Sequence, residues 1–148
     1  MRTLFKGGTV ITGRGPKRAD VLVEGEKVRQ VGRLILTPAD RTVDVEGCLL
    51  FPGFIDAHCH IGIEEDSIGP MGSDCNEATD PCTPHLRVID AVNPRERCYS
   101  EAVDAGITSV VTCPGSANPI GGTILAMKTV GTRVDDMVLL ENAGIKFA

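Results

Sequence analysis

Between Cys48 and His60 the chain places two apolar runs, Cys48-Leu49-Leu50-Phe51 and Phe54-Ile55, on either side of a Pro52-Gly53 break. The second run leads through Asp56-Ala57 into His58-Cys59-His60. This segment constrains the fold most, because the chain reads differently on its two sides. Upstream, residues 3–50 are short β-branched runs divided by turns. Thr9-Val10-Ile11-Thr12 precedes Gly13-Arg14-Gly15-Pro16, and Asp20-Val21-Leu22-Val23-Glu24 and Lys27-Val28-Arg29-Gln30-Val31 flank Gly25-Glu26. Such runs predict hairpins, with a further strand over residues 42–45. No window there keeps the 3.6-residue period of a helix. A small all-β unit is expected over residues 1–52.

Downstream the grammar changes. Phe54-Ile55-Asp56-Ala57-His58 predicts a buried strand of the kind found in parallel sheets covered on both faces. Residues 61–85 are rich in Gly, Pro, Asp and Glu and predict a long loop, either functional or disordered. Asn93 as cap, Pro94 in the first turn and an apolar stripe of Cys98, Ala102 and Ala105, with Tyr99 nearby, predict a helix over residues 94–105 that Gly106 stops. Ile107-Thr108-Ser109-Val110-Val111-Thr112 predicts a second buried strand, adjacent and parallel to the first. Helices are expected over residues 123–130 and 134–143, and a third strand from residue 145. Strand–helix alternation of this kind predicts a parallel α/β arrangement over residues 53–148.

Charge and cysteine content exclude several classes of function. Fifteen basic against twenty acidic residues give a formal charge of −5, without a basic cluster. Nucleic acid is therefore a poor partner, since its binding relies on Lys and Arg neutralising phosphates. The sequence holds no apolar run of bilayer-spanning length and no secretory leader, so no membrane partner and a cytoplasmic location are expected. Its six cysteines are irregularly spaced, and an apolar content of 42% needs no covalent staples, so reduced thiols are expected.

The chemistry concentrates at His58-Cys59-His60. Side chains at i and i+2 of a strand share a face, so both imidazoles can aim at one divalent ion, and imidazole is a common ligand for such ions. A bare H-x-H is also compatible with two hydrogen-bonded histidines at a strand end. Asp56 shares their face. It either hydrogen-bonds an imidazole behind the metal or orients backbone, and the sequence leaves the two level. Cys82-Thr83-Pro84-His85 with Cys75 matches no standard zinc spacing and reads better as a loop. Gly115-Ser116 and Gly121-Gly122 read as a loop shaping a pocket rather than an anion cradle, since no P-loop lysine follows.

The string from Leu50 to His60 resembles the amidohydrolase superfamily signature, in which P-G-hydrophobic-I-D-x-H-x-H opens the first barrel strand. Leu4-Phe5-Lys6-Gly7-Gly8-Thr9-Val10-Ile11 is similar to that family's opening strand, and residues 20–28 to its second hairpin. The resemblance spans residues 3–62 and continues more loosely through Gly106-Ile107-Thr108-Ser109-Val110. Within the superfamily, Asn76-Glu77-Ala78-Thr79-Asp80-Pro81 and Pro114-Gly115-Ser116-Ala117-Asn118 are similar to the imidazolonepropionase-like and prolidase-like branch.

The resemblance implies an α/β fold: an N-terminal all-β sandwich portion over residues 1–52, then the first strands and helices of a (β/α)8 TIM-type barrel over residues 53–148. It further implies a metal-dependent hydrolase acting on carbon–nitrogen bonds of a small-molecule amide, cyclic, non-peptide or an Xaa-Pro dipeptide. His58 and His60 would be ligands of one or two divalent ions, zinc first among them, and the full-length enzyme is expected to be a homo-oligomer. In some relatives a strand lysine becomes carboxylated and bridges two metals. Lys146 lies in an expected strand, but the third rather than the fourth, and a lysine with a solvated head is the favoured reading. A complete barrel takes about 200 residues or more, so the general-base aspartate is expected beyond Ala148. The chain is then an apparently truncated N-terminal part, inactive alone. The alternative is a non-catalytic or degenerate piece that binds metal weakly or needs a partner chain.

Overall fold

The computed structural model describes the backbone of residues 1–148 and all side chains except those of residues 66 and 67. The chain divides into two units, Met1–Pro52 and Gly53–Ala148.

In the first unit every regular element is a strand. In chain order these are β1 (Arg2–Lys6), β2 (Thr9–Thr12), β3 (Gly15–Arg18), β4 (Asp20–Glu24), β5 (Lys27–Gly32), β6 (Arg41–Asp44) and β7 (Leu49–Leu50). They form two sheets, β5-β4-β1-β6 and β3-β2-β7. The hairpins expected about residues 13–16 and 25–26 are the antiparallel pairs β2–β3 and β4–β5. Alternation in β4 turns Leu22 inward opposite Leu4 of β1, and these two close a small core with Ile35. Two pairings have no local signature in the sequence, because β1–β6 and β2–β7 are parallel and join segments far apart in the chain.

The second unit begins with β8 (Phe54–Cys59). It continues through 3₁₀ stretches at Asp66–Gly72 and Val88–Asp90, then α1 (Arg97–Asp104), β9 (Ile107–Thr112), β10 (Ile120–Lys128), α2 (Val134–Met137) and β11 (Val138–Phe147). Its sheet runs β11-β10-β9-β8. β8 and β9 are adjacent and parallel, with α1 as their crossover, as the sequence predicts. Gly106, at φ +83, ends α1 in the left-handed region and passes its carbonyl to the Phe54 amide at 2.9 Å. The buried face of α1 carries Tyr99 and Ala102, so the inward stripe is rotated from the expected one and Ala105 is exposed.

Three expectations are corrected here. Residues 123–130 are not a helix, because residues 120–128 form β10, antiparallel to both β9 and β11. Pairing on both sides satisfies its backbone, and Leu125 and Met127 alternate into the core at 1% and 0% exposure. The predicted helix over 134–143 shrinks to α2, and its remainder joins β11. β8 was expected to be buried, yet Phe54 and Ile55 are 52% and 69% exposed, because β8 is an edge strand with a neighbour on one side only. The outcome is a mixed α/β protein, mostly strands in several sheets. The second unit's core gathers Ile63, Val88, Val92, Tyr99, Val110, Leu125, Met127 and Met137.

Candidate metal centre

His58 sits in the last turn of the pleat of β8 and His60 immediately after it. Pairing with β9 is irregular between Asp56 and Cys59, which bends the strand where the two rings leave it. The ring centroids lie 5.6 Å apart and the planes are nearly perpendicular, at 86°. Zinc–imidazole bonds of about 2.0–2.1 Å put each centroid roughly 3 Å from the ion, so two rings on one ion stand about 5–6 Å apart. The observed spacing fits that requirement.

The segment after His60 is pinned from several sides. His60 Nδ1 lies 2.7 Å from the carbonyl oxygen of Cys113, just beyond the end of β9. Thr112 Oγ1 donates to the Ile61 carbonyl at 2.9 Å, and the Tyr99 hydroxyl donates to the same carbonyl at 3.4 Å. The buried Glu96 carboxylate accepts from the Gly62 amide, while the Gly62 carbonyl accepts from Asn93 N–H at 2.7 Å. Gly62 adopts φ +91, and a Cβ built there would meet the Tyr99 hydroxyl at 2.3 Å, so only glycine fits. Sequence reasoning missed Glu96, Thr112, Tyr99 and Cys113 as supports. The one local signal was a glycine two residues after the H-x-H.

The other sequence candidates take clear places. Asp56 Oδ1 accepts from the backbone N–H of His58 at 3.1 Å. Lys146 is buried to 9% exposure on β11. Its stem lies against Gly121, where an added Cβ would stand 3.3 Å from its own Cβ, and its charge reaches Cys113. His60 and Lys146 thus share Cys113 as a neighbour. Among the described residues, no three His, Cys, Asp or Glu side chains gather as a metal-binding group, and this includes the Cys75, Cys82 and His85 set. All six cysteines are thiols. Burial pushes the Cys59 and Cys113 thiols up, although Lys146 partly opposes this at Cys113. Burial, then repulsion from Glu64, pushes Cys75 up to about 11.

Beside Pro114 lies a cavity of about 240 Å³, lined in part by Cys75, Asn76, Glu77, Arg87, Asn118 and Gly122. Two asparagines staple its walls. Asn76 Oδ1 accepts from Ala117 N–H at 3.0 Å, and Asn118 Oδ1 accepts from Glu77 N–H at 3.1 Å. Asn118 Nδ2 donates to the carbonyls of Glu77 and Asp80. The Arg87 guanidinium is engaged by both carboxylate oxygens of Asp90 and by Glu141. The glycines of this loop serve close packing. Cβ atoms at Gly115 and Gly122 would collide with Asn76 and with the Leu86 carbonyl, and the Gly115 amide is donated to Cys75.

No family model matches the chain. It is 48% identical over 62 residues to the 5-methylthioadenosine/S-adenosylhomocysteine deaminase of Pyrococcus abyssi, covering 40% of this chain and 15% of that protein. It is 43% identical over 61 residues to the D-hydantoinase of Ralstonia pickettii, covering 41% of this chain and 13% of that protein. The crystal structure of an amidohydrolase from Thermotoga maritima superposes with a TM-score of 0.91 at 44% identity, over 98% of this chain and 38% of that one. The chain therefore spans well under half the length of each of these relatives.

Proposed function

This chain belongs to the amidohydrolase superfamily, and from that premise we propose that the protein it comes from is a metal-dependent hydrolase of carbon–nitrogen bonds, with His58 and His60 as two ligands of its metal. The observation that carries the reading is the pair of rings leaving the end of β8 at 5.6 Å, a spacing suited to one ion. A divalent ion there, zinc first among the candidates, would supply Lewis-acid polarisation of the substrate carbonyl and acidify a water.

The chain's own residues bind and orient. His60 offers Nε2 while Nδ1 is engaged by the Cys113 carbonyl, and Asp56 holds the backbone amide of His58. The stapled loops on either side of the cavity would shape a pocket for a small amide, cyclic or of the Xaa-Pro type. In this reading β8, α1 and β9 are the first βαβ unit of a (β/α)8 barrel, residues 1–52 are a β-sandwich portion, and the imidazolonepropionase-like and prolidase-like branch is the closer kin. Residues outside these 148 would supply the remaining ligands and the general-base aspartate. Burial to 9% exposure overturns the solvated-head reading of Lys146, and two roles are left: a structural lysine packed on Gly121, or a carboxylated bridge between two metals. A cytoplasmic, homo-oligomeric enzyme remains our expectation.

A second reading is favoured by one observation: no three-ligand group is assembled among the described residues. The chain would then bind metal weakly, or be completed by another chain. The test is Zn²⁺ or Co²⁺ titration of residues 1–148 beside the full reading frame, with hydantoins and Xaa-Pro dipeptides as substrates. The proposal expects metal-dependent turnover by the longer protein that His58→Ala and His60→Ala abolish. Undiminished turnover in both variants would remove these histidines from the site.

A further inference from the structure

Resting on the metal-site reading, we propose that the backbone carbonyl of Cys113 is a positioning group. It accepts the Nδ1–H of His60, holds the neutral ring in a single tautomer, and makes Nε2 the metal-binding atom. A carbonyl oxygen has no hydrogen to give, so at 2.7 Å the imidazole must be the donor. The tautomer therefore follows from the partner's chemistry. A ligating histidine whose other nitrogen donates to a fixed acceptor keeps its ring orientation and gains basicity at the ligating atom.

The acceptor is fixed in turn. Cys113 is 2% exposed, and its amide donates to the Cys59 carbonyl at 3.1 Å, so β8 and the end of β9 are joined beside the ring. Pro114 follows and confines the Cys113 backbone to extended conformations. One residue further, the Gly115 amide donates to the Cys75 carbonyl at 2.7 Å, and Asn76 holds Ala117. The carbonyl thus sits in a segment anchored on both sides, and the loop of residues 75–80 is one of the anchors. Nothing in the H-x-H motif itself reveals this group, which lies 53 positions away in the chain.

The experiment uses the protein of the full reading frame with ¹⁵N-labelled histidine, in buffer that keeps imidazoles neutral. The signals of His58 and His60 are assigned through His58→Asn and His60→Asn. Long-range ¹H–¹⁵N spectra of the metal-free protein are expected to show His60 protonated on Nδ1, with a lone pair on Nε2. Added Zn²⁺ is expected to shift Nε2 of His60 together with the ring of His58. Two variants weaken the contact while sparing Nε2. One places Nδ1-methylhistidine at position 60. The other replaces the amide between Cys113 and Pro114 by an ester, whose carbonyl is a poorer acceptor of similar shape. Both are expected to lower Zn²⁺ affinity, the first by about 10–100-fold, with circular dichroism unchanged. An Nε2–H tautomer, zinc bound through Nδ1, or unchanged affinity in both variants would overturn the positioning role and leave the metal site standing. Zn²⁺ that shifts neither His58 nor His60 would overturn the metal-site reading and this proposal together.

Discussion

Glu96 lies at the head of α1, 9% exposed, with the Gly62 amide as its donor. Removing that carboxylate leaves a buried N–H two residues from a proposed ligand without its acceptor. Glu96→Ala is expected to lower stability by about 1.5–3 kcal/mol, the scale of a hydrogen bond to a charged group. A lower urea midpoint at an unchanged slope would register it, and an unchanged midpoint would refute it. Cys75 carries a pH signature. Its thiol is raised in the folded state to about 11, so the native form holds a proton that the unfolded chain releases earlier, from the ordinary thiol value of about 9.0. The stability this contributes is complete below pH 9 and is lost as pH rises towards 11. Cys75→Ala is expected to flatten that alkaline decline. In the native protein at neutral pH, the exposed Cys48 and Cys82 should react first with a thiol reagent, and the buried Cys75 and Cys113 last. Simultaneous modification of all six would contradict this burial pattern.

Element identity was legible wherever local chemistry decided it. The β4–β5 turn announced itself through Gly25, and the β8–α1–β9 crossover through Gly106 and the β-branched run after it. β10 was not legible. Thr123-Ile124-Leu125-Ala126-Met127 sets three helix formers, Leu125, Ala126 and Met127, against two strand formers, and short apolar runs cannot be told apart by period. Tertiary pairing with β9 and β11 settled it. Burial of β8 failed for the converse reason, since an apolar run says nothing about how many neighbours a strand will find. At the candidate site, the two proposed ligands were legible because they stand two residues apart, whereas Cys113, Glu96 and Tyr99 act across long separations that carry no local pattern. As a check on β10, Leu125→Ala is expected to cost about 2–5 kcal/mol, because a strand side chain at 1% exposure leaves a cavity behind. A loss below about 0.5 kcal/mol, the range of surface substitutions, would contradict its place in the core.

For the whole molecule the decisive surface is the sheet of the second unit. Its outer strands β8 and β11 expose Phe54, Ile55, Leu139, Leu140, Ile145 and Phe147. Apolar side chains on unpaired strand edges invite association. The 148-residue chain is expected to self-associate with rising concentration, and Ile55→Lys with Leu140→Lys to suppress this in sedimentation velocity. A chain monomeric across the accessible range would contradict the expectation. No amide hydrolysis by the isolated chain is expected either, even with added Zn²⁺, because catalytic zinc commonly takes three protein ligands. Turnover lost on His58→Ala would show the short chain to be sufficient.

The turn at Gly62 also sets what mutation can do to this protein. All nineteen alternatives carry a Cβ into the Tyr99 hydroxyl and must hold φ +91, so the position has no graded series of substitutes. Gly13, with an ordinary φ and open space around its Cβ direction, has one. In a saturation library selected for folding, position 62 should be depleted uniformly and position 13 should tolerate most residues. Two residues beyond His60 the chain would thus hold a site at which inheritance is all or nothing.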